Sequence, residues 1–213
     1  MSAAQIGFSG LGTIAKLFGR IIFALGALLC AFVALVSYRY LLRIGPISDV
    51  IDANVLKNPW LIIHVAGAAT SLLLGPLQFI PGIRNRFPVV HRLTGRIYVA
   101  SCLVGGVAGF VLALGAATGP ISTAGFGLLA ILWVTSTGLA WRRAVEGNFT
   151  AHRAWMIRSF ALTFAAVTLR LYLPVAMSMQ FKFIDAYRAI SFLCWVPNLL
   201  LAELYLRSRM RQF

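Results

Sequence analysis

Residues 97–141 read IYVASCLVGGVAGFVLALGAATGPISTAGFGLLAILWVTSTGLAW, a run without one charged side chain. A bilayer's hydrocarbon core is about 30 Å thick and takes roughly 20 helical residues, so the run is too long for one crossing and suits two. The Gly-, Pro-, Ser- and Thr-rich stretch 115–125 in its middle supplies the turn. This reading predicts spans at about 90–114 and 122–142.

Working outward, the same pattern repeats on both sides. Toward the N-terminus, Arg84 and Arg86 form a short basic loop after Pro81-Gly82, and a span at about 59–80 opens on Pro59. Asp49, Asp52, Asn54 and Lys57 make a polar loop before it, and a further span at about 21–42 lies between Arg20 and Arg43. Residues 1–19, with Phe8, Leu11, Ile14 and Leu17 on one face, read as an interfacial segment. Toward the C-terminus, Arg142, Arg143 and Glu146 close the fourth span. Spans at about 152–177 and 186–206 follow, the last ended by Arg207, Arg209 and Arg211. The expectation is an all-α polytopic membrane protein: one transmembrane domain, residues 20–213, forming a bundle of six helices.

Composition agrees. Hydrophobic residues make up 60% of the 213 and charged ones 11%, against about 25% charged in a soluble domain. The net charge of +14 does not point to nucleic acid, because the cations sit at the ends of apolar runs rather than in a basic stretch interleaved with aromatics. Thirteen of the Lys and Arg residues fall on one side of this topology and five on the other, with Arg170 inside a span. The richer side holds both termini and is expected to be cytoplasmic, in a cell inner (plasma) membrane whose lipid is the principal partner. Cys30, Cys102 and Cys194 lie in apolar runs without CxxC spacing and read as small hydrophobes.

An ionisable group within a span costs about 2.5 kcal/mol or more unless it is paired or hydrated, so each one calls for a reason. His91 and His152 both open a span on the cytoplasmic side, at similar depth. On the third and fifth helices of a bundle they could stand diagonally opposite and hold a b-type haem between two imidazoles. Arg92, Arg96, Arg153 and Arg158 would then neutralise its propionates. The alternative is an interfacial structural or anion-binding role for these His-Arg pairs. Their recurrence could also mark a duplicated hairpin. Toward the other side, His64 lies roughly 9 Å and Arg170 roughly 10 Å below the ends of their spans at 1.5 Å per residue. They could share a ligand site with Tyr172, Trp195 or Asn198 nearby and Asp185 as counter-ion, or Arg170 could simply snorkel. His64 is too distant in depth to complete a three-histidine metal site. Glu203 is expected to pair with Arg92, Arg153 or Arg158.

Five short stretches carry a resemblance. They are Gly75-Pro76-Leu77-Gln78-Phe79, His91-Arg92 with Gly95-Arg96, His152-Arg153-Ala154-Trp155-Met156-Ile157-Arg158-Ser159, Leu169-Arg170-Leu171-Tyr172-Leu173-Pro174, and Cys194-Trp195-Val196-Pro197-Asn198. Together they resemble an uncharacterised bacterial family of predicted multi-pass membrane proteins known only as a domain of unknown function. The likeness extends over roughly residues 58–207. It implies a bacterial-type inner membrane location and brings no substrate or cofactor.

Three functional expectations follow. The first is haem b-type electron transfer with quinone or a membrane redox partner. The second is a non-catalytic accessory, scaffold or lipid-interacting protein. The third, a small-molecule transporter, is disfavoured because Gly/Pro pairs fall at span ends rather than mid-span.

Overall fold

The structure is a computed structural model that describes residues 3–42, 44–45 and 48–210, with side chains from Lys16 to Arg209. Arg43 and Arg211 lie outside the described residues, as do the side chains of Phe8, Leu11 and Ile14. Ten α-helices and no strand occur among the described residues: α1 Ala3–Ser37, α2 Asp49–Asp52, α3 Lys57–Gln78, α4 Pro81–Arg86, α5 Pro88–Leu114, α6 Pro120–Val145, α7 Phe149–Thr163, α8 Ala165–Ser178, α9 Phe183–Leu193 and α10 Val196–Met210. Six segments are long and apolar enough to cross a membrane: Lys16–Tyr40, Lys57–Gln78, Pro88–Leu114, Pro120–Val145, Phe149–Ser178 and Phe183–Arg209. The chain is therefore an all-α, six-helix membrane protein, as the uncharged run implies. Among the described residues the backbone from Ala3 continues as one helix into the first crossing.

Large apolar side chains cover the outside. Leu28, Phe32 and Leu35 of α1 are exposed, as are Val104 and Val107 of α5, and these face lipid. Because lipid is as apolar as leucine, burial does not drive the helices together; close packing and hydrogen bonds must. The tightest junction is between α3 and α5. A Cβ on Gly67 would stand 2.6 Å from the Ser101 carbonyl oxygen and 2.7 Å from the Gly105 backbone, so the two main chains touch. Around this pair α5 packs on α6, α6 on α7 and α7 on α3, a ring in which α5 and α7 stand opposite each other. The α1 helix docks outside it through Cys30, Val33 and Ala34 against Ala69, Leu72 and Val167. The α9–α10 span leans on α6, α7 and α8.

One sequence expectation fails: two spans are interrupted midway. Phe164 separates α7 from α8, and Cys194-Trp195 separate α9 from α10. Pro197 has no N–H to offer one turn back, which frees a carbonyl at the second break. Asn198 serves both breaks from one side-chain amide, donating to the Ala161 carbonyl (3.3 Å), the Cys194 carbonyl (2.9 Å) and Thr168 Oγ1 (2.9 Å). In lipid, interrupted backbone persists only with such substitutes. The first break also shapes the bundle, since α7 packs against α3 whereas α8 leans to α1 and α9. Phe160 presses its ring on Gly75 in the closed half, and the other half is left hollow.

The α6–α7 connection shows how local sequence makes a turn. Gly147 takes a left-handed φ of 74°, and the Asn148 side chain caps α7 by accepting from the Ala151 N–H at 3.0 Å. Arg142 and Arg143 hold Glu146 at 2.7 and 2.8 Å. The Arg142 contact first, then Arg143, keeps that carboxyl below its usual range.

Candidate functional site

Polar groups gather at three levels along the bundle. The first is the end where α5 and α7 begin, here called the His-Arg end. His91 and His152 stand there on opposing helices, within electrostatic range of each other. The Nδ1 of His152 bonds the Ala140 carbonyl of α6 at 2.8 Å, which leaves Nε2 available. That is the arrangement by which ligating histidines are held. The Nδ1 of His91 is buried with no hydrogen-bond partner. Each imidazole thus keeps a ring nitrogen without a hydrogen-bond partner among the described residues. The expected arginine collar fits less well. Arg158 forks onto Glu203, at 2.5 Å through Nε and 3.0 Å through Nη2, and stacks over the Trp155 ring at 4.7 Å. Glu203 therefore chooses Arg158 of its three expected partners. Arg92, Arg96 and Arg153 are exposed.

The second level closes the centre. Tyr98 is wholly buried, and its hydroxyl bonds Ser159 Oγ at 2.9 Å and Thr163 Oγ1 at 3.0 Å, directly across from α5 to α7. Thr137 meets Ser159 at 2.7 Å, and the Trp133 indole donates to Thr163 at 2.8 Å. Tyr98 and Ser159 each lie two helical turns beyond their histidine, so equal spacing on parallel helices makes them meet. Every hydroxyl in this knot has a partner, which a lipid-embedded core demands.

The third level is a cavity of about 450 Å³ in the hollow half, reaching from the α2 segment and Thr118 down to Trp133, Thr163 and Cys194. Its floor is thus the hydroxyl knot and the two helix breaks. Its wall is mostly aliphatic, from Val65, Leu112, Ala113, Leu129, Leu169 and Leu173 among others. His64 and Arg170 both line it. His64 is fixed through Nδ1 to the Gly105 carbonyl at 2.8 Å, and its ring lies against Gly109, where a Cβ would come within 2.8 Å. Two glycines four apart thus seat the ring, and Nε2 stays available.

Arg170 donates to the Ala166 carbonyl of its own helix at 2.9 Å and to Ser37 Oγ at 3.0 Å. Arg170 is an exposed side chain, and it contributes to the lining of the cavity. Asp185 is not its counter-ion, because that carboxylate lies by Arg188 at 3.8 Å on its own helix. The expected neighbours also change. Tyr172 is exposed, the Trp195 indole bonds the Ser191 carbonyl, and Asn198 serves the breaks. In their place stand Tyr40 and Tyr187, with Trp133 and Thr163 on the floor. The sequence carried no marker for these, since each lies at a span end or inside an apolar run. Among the described residues no three His, Cys, Asp or Glu side chains gather as a metal site.

Both histidine levels, the hydroxyl knot and Arg170 fall inside one stretch that matches a known family. No curated protein and no solved structure matches the chain. The family model described as "Predicted membrane protein (DUF2306)" matches residues 61–206, well over half of the sequence, and the chain belongs to that family of membrane proteins of unknown function.

Proposed function

We propose that this protein is a membrane-embedded binding protein that holds an elongated, largely apolar small molecule inside its bundle. The observation that carries the reading is the cavity. At about 450 Å³ it falls within the roughly 300–1,000 Å³ usual for ligand sites, with the expected apolar wall and a few convergent polar groups. The thirteen-to-five distribution of cations supports a plasma-membrane location with the His-Arg end in the cytoplasm, so that the cavity opens toward the other leaflet. Native mass spectrometry of detergent-purified protein tests this. An amphiphile retained by the wild type and lost from Ala116→Trp, which fills the upper cavity, is the expected result. A chain that arrives bare and takes up no added amphiphile overturns it.

The orphaned Nδ1 of His91 and the oriented ring of His152 favour a second reading, a b-type haem held by these two imidazoles. Bound there, haem would supply one-electron transfer, and the cavity would be the seat for a quinone. What this chain contributes is ligation by His91 and His152 and a floor set by Tyr98 and Ser159. A dithionite-reduced α-band that His91→Leu or His152→Leu abolishes and His64→Leu spares is the supporting result. Colourless protein from haem-supplemented cells removes it. Transport gains from the two mid-span breaks, because transporter sites gather at interrupted helices.

A further inference from the structure

Arg170 is a cation some way inside a membrane span with no carboxylate beside it. The chain has five Asp and Glu residues in all. Asp52 pairs with Lys57, Glu146 with Arg142 and Arg143, Asp185 with Arg188 and Glu203 with Arg158, while Asp49 is exposed on α2. None of them lines the cavity. A guanidinium has five N–H donors, and only two acceptors, Ala166 O and Ser37 Oγ, are supplied to it here.

Other polar atoms also face the space. The Tyr187 and Tyr40 hydroxyls are near enough to act on the Arg170 charge. His64 has its Nδ1 satisfied and Nε2 open. Thr118 lies at the entrance to α6, and its hydroxyl is buried without a partner. The chamber therefore offers one cation and the hydroxyls of Tyr40, Tyr187 and Thr118, within a wall that is otherwise mostly apolar.

We infer that the ligand of this cavity is an anionic amphiphile, with a carboxylate or phosphate head set on Arg170 and an apolar body along the aliphatic wall. The inference rests on the binding reading above and narrows it to one chemical class. An anion is the missing counter-charge for Arg170. A carboxylate or phosphate also accepts from the guanidinium fork in a bidentate way. The free hydroxyl of Tyr187 then finds an acceptor, while His64 Nε2, an acceptor because Nδ1 donates to Gly105, accepts from a hydroxyl or water rather than from the head. A neutral head of the same length would leave the intramembrane charge uncompensated.

The test is equilibrium binding to the full chain in an uncharged sugar detergent, with three radiolabelled probes of one chain length: hexadecanoate, hexadecyl phosphate and hexadecanol. Charge-assisted hydrogen bonds contribute about 1.5–3 kcal/mol, so the two anions should bind about tenfold or more tighter than the alcohol. Arg170→Gln should bring the anions down to the alcohol's affinity while leaving the alcohol unchanged. Arg170→Lys should keep the preference for anions, and it secures the test should the glutamine variant fail to fold. Arg86→Gln, an exposed cation at the far end, should bind as wild type. Tighter binding of a diacyl phosphatidic acid than of hexadecyl phosphate would name a bilayer lipid as the source; the reverse order names a free acid. If hexadecanol binds as well as the anions, or the preference survives in Arg170→Gln, the anionic head is wrong and the binding cavity stands. If no probe binds saturably, the cavity reading itself falls.

Discussion

Gly67→Ala puts one methyl group into the place where α3 and α5 touch. The added carbon would meet the Ser101 carbonyl oxygen at 2.6 Å, about 0.8 Å short of ordinary contact, and it faces backbone that has no rotamer to yield. The helices must part, and the His64–Gly105 bond at 2.8 Å, one turn away, must stretch with them. Overpacking costs about 1–3 kcal/mol, and a lost hydrogen bond in a membrane protein about 0.6. Against this, alanine gains about 1 kcal/mol over glycine in helix propensity. The net loss is about 1–3 kcal/mol, or a drop in Tm of several degrees for a chain of this size. Gly26→Ala on α1 is the matched control, because a Cβ there meets nothing within 4 Å. Only the propensity gain should remain in it. Thermal unfolding by circular dichroism in detergent reads both variants. If Gly67→Ala melts at or above Gly26→Ala, the close approach of α3 and α5 is not what holds this half of the bundle.

Glu203→Gln should lower stability by about 1–2 kcal/mol, less than the 3–5 of a fully buried pair because both partners keep some exposure; a wild-type Tm would show that Arg158 is held by Trp155 alone. Asn198→Ala removes the only side chain that serves both helix breaks and should cost about 1–3 kcal/mol, with faster proteolysis near 164 and 194 as a second readout. Tyr98→Phe should cost only about 1 kcal/mol, since Ser159 keeps Thr137 and Thr163 keeps Trp133; a loss as large as that of Tyr98→Ala would mean the hydroxyl organises the whole knot. Reporter fusions after Arg86 and Glu146 should read cytoplasm and those near Asn54 and Thr118 the opposite side. A fusion pair at 118 and 147 on one side would break the division of the long uncharged run.

Most of the fold was legible because a bilayer enforces a simple rule on composition. Spans must be apolar for their full length, and the uncharged run from 97 to 141 could satisfy that only as two helices. The interruptions at 164 and 194–195 were not legible. Nothing in Thr163-Phe164-Ala165 marks a break, and at the second the Asn198 amide that takes up the Cys194 carbonyl is visible only in the folded chain. The sites divide in the same way. Charged residues in apolar runs announced themselves, so His64 and Arg170 could be placed in one layer before any coordinates. Their surroundings could not, because Tyr40, Tyr187 and Thr163 belong to three separate spans whose rotation about their axes depends on packing. Asp185 illustrates the point: depth suggested Arg170, but the nearer cation was Arg188 on its own helix.

Arg92, Arg96 and Arg153 stand exposed where α5 and α7 begin, and among the described residues no carboxylate pairs with them. In a bilayer their counter-ions are headgroups. A basic side chain near an anionic leaflet gains about 1 kcal/mol, an attraction that fades over a Debye length of about 10 Å at 0.1 M salt. Part of this protein's stability is therefore stored in its annulus of lipid rather than in its own contacts. Extraction into an uncharged sugar detergent discards that part, and added phosphatidylglycerol should restore it in proportion to its mole fraction, less so as salt is raised. Melting temperatures taken in the detergent alone are thus lower bounds on the stability in a bilayer. Variants at the His-Arg end are best compared in mixed micelles of fixed anionic content.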